Sequence, residues 1–437
     1  MSLIASPVLW LMIALGVGIP LVLIAGVRYL AYRLAGRPDS IASPSFDPLE
    51  LPLPRFASSW QAVRMLVWVG LLGGGVGIIV LRFVYGIGAV TNLSDQFPWG
   101  LWIGFDVMSG VALAAGGFVI CAAVHLFGLK RFAPLTRPAV LTAFLGYLLV
   151  IAALVVDLGR PYNIWRPLVH WQHHSVLWEV GICVATYTTV LFIEFLPVML
   201  EGAHRVQAVA RRLPVMPVAR MIRKFTVVLA VLAVVLSTLH QSSLGSLWVL
   251  VPEKLSPLWY SLYLPVFFFI SAVAVGLAMT IVESTLSSRA FKRGLELDLL
   301  ADLGKYAAVV LVIYLLARFA DLIARGAGPL LVQANLQTAF FWLEIGLGVV
   351  VPIILFSIRP LRYRPAVLFS AAVLVVVFGV VLNRLNVSWI GLLPYTGPVY
   401  FPSWMEILVS FTLVSFGVIA FGLAAKYLPV FPAEAER

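Results

Sequence analysis

His240 stands in the stretch STLHQSSLGSLWVL, Ser237 to Leu250, at the end of an apolar run that begins near Phe225. An imidazole, an amide and four serines interrupt a segment otherwise fit to lie in hydrocarbon. Histidine is the side chain best suited to move protons near neutral pH. Asp106 and Glu344 lie equally deep in their own apolar runs, with no obvious local partner. An unpaired charge in lipid is costly, so each of the three must pair, exchange a proton or face water. Their shared chemistry is proton donation and acceptance, and all three are candidate catalytic groups.

The elements that must position them are membrane-spanning helices. The chain of 437 residues is 62% hydrophobic and 11% charged, with a mean hydropathy of +1.03. Apolar runs of about 20 residues are long enough to cross a hydrocarbon core. They show no strand-like alternation, and backbone in lipid must pair within its own segment. The fold class is therefore all-α, a polytopic membrane bundle of about eleven helices. The runs lie near 8–30, 65–88, 101–128, 138–157, 175–198, 225–245, 258–284, 306–323, 337–357, 366–383 and 403–426. Run 8–30 has no basic residue before it and Arg28, Arg33 and Arg37 at its end, which marks an anchor rather than a cleavable signal. With the N-terminus outside and the C-terminus inside, 23 of the 30 basic residues fall on the inner side. That bias sets the topology and accounts for the basic isoelectric point without a nucleic-acid partner. Residues 1–63, with the Pro-rich inside loop 36–59, form an additional N-terminal segment ahead of a ten-helix domain, 64–437.

On this topology the ionisable residues gather toward the outer face: Asp106, Asp157, Glu179, His240, Arg318, Asp321, Glu344, Arg384 and Glu406. Toward the inner face lie His125, Glu194 and Glu283, a narrower set suited to a proton path. Several of these have structural readings. Ser403 and Glu406 fit a capping box. Arg318 and Asp321, three apart on one helix, are expected to neutralise each other. Asp157 and Arg160 either pair locally or contact a ligand, and Glu179 favours a helix N-terminus. Cys121 and Cys183 form no CxxC motif and read as small buried residues, so no Fe–S cluster is expected in this chain. The loop GRPYNIWRPLVHWQHHS carries His170, His173 and His174 without a carboxylate or thiolate at ligand spacing, so no metal site is expected. For haem, His125 and His240 fall in opposite leaflets and cannot pair, which leaves His240 with His170, His173 or His174 as the conceivable axial pair, the less favoured reading.

The sequence has no phosphate loop, dinucleotide fingerprint or nucleophile triad. An outer pocket of acids, one histidine, serines and aromatics, reachable from lipid, suits a quinone, whose carbonyl oxygens take up protons on reduction. His240 would hydrogen-bond one oxygen, with Asp106 or Glu344 supplying or orienting the proton. A b-type haem cytochrome and a secondary transporter or ion channel are the alternatives. Transporter sites near the midplane come with paired, broken helices, and no such pairing is seen.

The motifs FPWGLWIGFD (Phe97–Asp106), Gly116–Gly117, DLGR (Asp157–Arg160), HxxxxSVLWE (His170–Glu179), TLHQSSLGSL (Thr238–Leu247), PLW (Pro257–Trp259), FWLE (Phe341–Glu344) and YFPSW (Tyr400–Trp404) run in order along the chain. From about Arg64 to about Pro432 it resembles the NrfD-like family of polysulfide reductase membrane subunits. The branch it is most similar to is the membrane subunit of quinone-linked uptake NiFe hydrogenases, once called a b-type cytochrome subunit. Residues 1 to about 60 lie outside that likeness. The resemblance implies a subunit of a bacterial inner-membrane respiratory complex that carries no redox cofactor of its own. It would pass electrons between menaquinone or ubiquinone and a ferredoxin-like Fe–S subunit on the outer face, beside a catalytic oxidoreductase subunit. It implies quinone-site roles at Asp106, Asp157, Arg160, His170, His240, Ser243, Arg318 and Glu344, with Trp102 inside the first motif. It also implies coupling to proton translocation, for which His125, Glu194 and Glu283 are the candidates.

Overall fold

A computed structural model of the chain describes residues 59–204, 215–395 and 400–431. The expected first helix, 8–30, lies outside the described residues, as does the boundary region before residue 59. Among the described residues the structure is helical, without strands. Ten helices among the described residues are long and apolar enough to cross a membrane. We label the helices α1 Ser59–Tyr85, α2 Trp102–Leu126, α3 Lys130–Asp157, α4 Val176–His204, α5 Val215–Lys224, α6 Thr226–Val249, α7 Leu264–Ala290, α8 Leu297–Ala324, α9 Leu336–Ser357, α10 Pro365–Ile390 and α11 Trp404–Tyr427. Only α5 is too short to span. The chain is a multi-pass integral membrane protein.

Two compact units divide the described chain. One holds the residues up to Asn92 and Pro402–Ser415. Within it Trp68 meets Phe411 at 5.4 Å between ring centroids. The start of α11 carries the expected capping box. The Glu406 N–H donates to Ser403 Oγ at 3.1 Å, and the Ser403 N–H donates to Glu406 Oε1 at 3.2 Å. The Asn92 N–H adds a second bond to that carboxylate at 2.8 Å. Glu406 is thus engaged in closing a helix end.

The other unit holds Leu93–Phe401 and the residues from Phe416 onward. Lipid tails are as apolar as leucine, so helices in a membrane gain from close backbone approach at small residues. A Cβ on Gly276 of α7 would sit 2.9 Å from the Ala115 carbonyl carbon of α2. Gly348 of α9 faces the backbone of Gly379 in α10 still more tightly. Replacing Gly348 by alanine is expected to cost about 1–3 kcal/mol, because backbone cannot yield as a side chain does. A lower detergent melting temperature for G348A would register it.

Among the described residues of this unit five segments are π-helical: Trp102–Ser109, Ala122–Leu126, Gly346–Val350, Val375–Val381 and Asn386–Ile390. Such turns are frequent at functional sites. Here they contain Asp106 and His125, follow Glu344 by two residues, and flank Asn383 and Arg384.

Candidate functional site

His240 sits fully buried on α6. Its Nδ1 shares a 2.8 Å hydrogen bond with the Tyr147 hydroxyl of α3. Its Nε2 has no protein partner. Tyr147 meets Tyr187 of α4 edge-on, with centroids 4.6 Å apart. Ser237, one turn before His240 and buried, lies beside both phenols without completing good hydrogen-bond geometry to either. The neighbouring Gln241 anchors α6 to α2 by donating to the Val111 carbonyl at 3.1 Å. One turn beyond His240, the Ser243 hydroxyl lies 2.7 Å from Glu179 Oε1 and 2.7 Å from the Leu239 carbonyl. A hydroxyl has one proton, so the two acceptors share it.

Farther along α4, Tyr187 is within electrostatic reach of Glu194 and Cys121. The Cys121 thiol of α2 donates to Glu194 Oε1 at 3.0 Å. Glu194 and His125 line a cavity of about 120 Å³, with Arg137, Glu201, Arg223 and Thr226. Arg137 reaches Glu201 at 3.4 Å, and Arg223 pairs with the same carboxylate. A discontinuous column of polar groups therefore runs from His240 through Tyr147, Ser237 and Tyr187 to this cavity. Glu283 stands apart on α7, beside Ser287 and Arg293.

Glu344 does not stand unpartnered. Its Oε2 accepts from the Trp259 indole at 2.9 Å and the Asn386 amide at 2.7 Å. Its Oε1 accepts from the Asn383 amide at 2.8 Å. Arg384 joins through Asn383 Oδ1 at 2.6 Å and also donates to Ser271 Oγ at 2.9 Å. None of these bonds leads to His240 or Tyr147. The expected Arg318–Asp321 pair is not formed. Asp321 instead takes Arg325, one full turn on, at 2.7 Å and the Ser261 hydroxyl at 2.8 Å. An i,i+4 pair competes with i,i+3, and here it wins.

Of the remaining candidates, Asp106 and Trp102 are buried in the first π turn. Asp157 is half-buried at the end of α3, while Arg160 and His170 are exposed in the loop that follows. His173 and His174 are also exposed. His173 lies edge-on to Trp171 and Trp178, at 5.8 and 5.3 Å. Among the described residues no group of three or more His, Cys, Asp or Glu side chains could hold a metal ion. Sequence reasoning missed Tyr147, Tyr187, Trp259, Asn383 and Asn386. The pair Asn383–Asn386, spaced three apart around Arg384 in an apolar run, was the available signal.

The family model described as "Polysulphide reductase, NrfD" matches residues 89–393. The chain belongs to the NrfD family. A protein of Nitratidesulfovibrio vulgaris is 42% identical over 378 residues, covering 82% of this NrfD-family chain and 91% of its own. The probable Ni/Fe-hydrogenase 2 b-type cytochrome subunit of Escherichia coli is 32% identical, over 81% of this chain and 89% of its own. The menaquinone reductase integral membrane subunit of N. vulgaris is 30% identical, over 85% and 93%. This NrfD-family chain is an integral membrane subunit of the quinone-linked oxidoreductase class.

Proposed function

We propose that this chain is the quinone-reactive subunit of a respiratory oxidoreductase in a bacterial inner membrane. It exchanges electrons between membrane quinone, menaquinone or ubiquinone, and an outer-face Fe–S subunit that links it to a catalytic subunit. The observation that carries the reading is His240: one ring nitrogen held by Tyr147, the other buried and unpartnered. A quinone carbonyl needs an N–H or O–H donor in apolar surroundings. With the Tyr147 hydroxyl donating to Nδ1, the proton of the neutral ring is on Nε2, aimed away from Tyr147. His240 gives that proton to the substrate oxygen and regains one at Nδ1 through Tyr147. Asp106 supplies the second proton. Ser243, Trp102, Asp157, Arg160 and His170 bound the quinone site. Glu344, with both oxygens engaged by N–H donors, acts electrostatically rather than as the group that delivers a proton. Electrons arrive from, or leave to, the Fe–S partner.

Replacement protons enter from the inner side by way of the cavity at His125 and Glu194, and the turnover is thereby coupled to proton translocation. Glu283 is a second inner-side acid on a separate approach. Glu194→Gln should slow quinone-linked turnover of the intact complex roughly a hundredfold, the lower edge of what a lost acid–base group costs. Turnover equal to wild type would remove Glu194 from the route.

The reading as a whole is tested by titrating a fluorescent quinone analogue into the complex purified with its partners, with an absorbance scan of the same sample. Saturable quenching, together with co-purifying Fe–S protein, is expected. Absence of saturable binding overturns the reading. A Soret band belonging to this chain replaces it with the b-type cytochrome alternative.

A further inference from the structure

The failed Arg318–Asp321 pair leaves a charge to be accounted for. Arg318 of α8 is 1% exposed, and its one hydrogen bond is from Nη2 to the Leu258 carbonyl at 3.0 Å. Its Nε and Nη1 have no protein partner. Phe267 and Phe341 flank the guanidinium, their centroids 5.2 and 6.0 Å away. Aromatic faces attract a cation but do not neutralise it. The acid one turn on, Asp321, is already paired with Arg325.

The other buried charges nearby do not fill the deficit. Glu344 and Arg384 are linked through Asn383, one negative and one positive. Tyr314, one turn before Arg318, lies within electrostatic reach of Arg318, Glu344 and Arg384 and joins the groups into one cluster. That cluster holds two guanidinium groups, one carboxylate and a neutral phenol, so with the guanidinium groups and the carboxylate ionised it carries a net charge of +1. Burial of an uncompensated charge in a low-dielectric interior is strongly disfavoured. The unpartnered N–H groups and the excess charge call for the same thing: an anion with lone pairs and little bulk.

We propose that Arg318 holds a small monovalent inorganic anion of halide type. The anion accepts hydrogen bonds from Nε and Nη1 between the Phe267 and Phe341 rings. It reaches the site from the 256–261 loop, whose Leu258 and Ser261 already contact Arg318 and Asp321. The site rests on Arg318's own contacts and not on the quinone reading.

The test uses bromide as the probe on the full complex, first dialysed into sodium gluconate. Titration with sodium bromide at constant ionic strength should raise the melting temperature saturably, by a few degrees or so. Anomalous scattering at the bromine edge from crystals should place one ion beside Arg318. In Arg318→Gln the bromide dependence and the anomalous peak should both vanish. A wild-type melting temperature indifferent to the anion, with no peak beside Arg318, overturns the proposal. So does a bromide effect that persists undiminished in R318Q. If R318Q does not fold, the wild-type titration and peak decide alone.

Discussion

His240→Ala lowers quinone-linked turnover of the assembled complex by about 10²–10⁴-fold, the range for loss of a positioned acid–base group. The chain should still insert and assemble, because α6 is anchored independently by the Gln241–Val111 and Ser243–Glu179 bonds. The measurement is turnover with a soluble quinone, normalised to complex recovered by size-exclusion chromatography. Tyr147→Phe separates positioning from proton delivery. It keeps the ring packing against Tyr187 and removes only the hydroxyl on Nδ1. If Tyr147 acts through His240, Y147F loses turnover while quinone analogue binding is nearly retained. H240A turnover within about twofold of wild type would end the assignment of His240 as the reacting group.

Glu344→Ala is expected to be the most destabilising single change in the described structure. It strips both acceptors from Trp259, Asn383 and Asn386 at once and leaves Arg384 without its through-asparagine countercharge. Removing one partner of a buried charged pair typically costs about 3–5 kcal/mol. Glu344→Gln keeps one carbonyl acceptor and the volume, so it should recover a large part of that loss. The ordering wild type, E344Q, E344A in detergent melting temperature checks the account. An E344A protein as stable as E344Q would mean that the network is held by packing alone.

The span positions were legible because hydrocarbon thickness fixes the length of an apolar run. Run 337–357 became Leu336–Ser357 and run 403–426 became Trp404–Tyr427. The errors have a common cause. Run 366–383 was cut short of Ile390 because Asn383, Arg384 and Asn386 look like a helix end, yet they are the polar core of the Glu344 network. Run 306–323 missed the start of α8 because Asp298, Asp302 and Lys305 are polar, although they lie in helical turns. Run 138–157 lost its first turns to Pro134 and Pro138, which a first turn or a membrane helix tolerates. Partners were harder to read than positions. Glu344 draws on residues 259, 383 and 386, and no local pattern announces that convergence. His240 was visible as an anomaly in its own run, whereas Tyr147 was hidden among leucines in a different one.

The π turns have a further consequence in angular register. Each π turn accommodates one residue more than an α-helical turn would, and one residue is about 100° of rotation along an α-helix. In α10 the π turn Val375–Val381 directly precedes the segment that carries Asn383 and Arg384, and Asn386 opens the next π turn. Deleting a single valine there and letting the helix relax to α geometry would keep every apolar residue type. It would also swing the three polar side chains about a third of a turn away from Glu344. That extra residue works as a phase shifter: it lets one helix show lipid a continuous apolar stripe while aiming its polar groups inward at another angle. Insertions and deletions in α10 should therefore be far less tolerated than substitutions at the same valines.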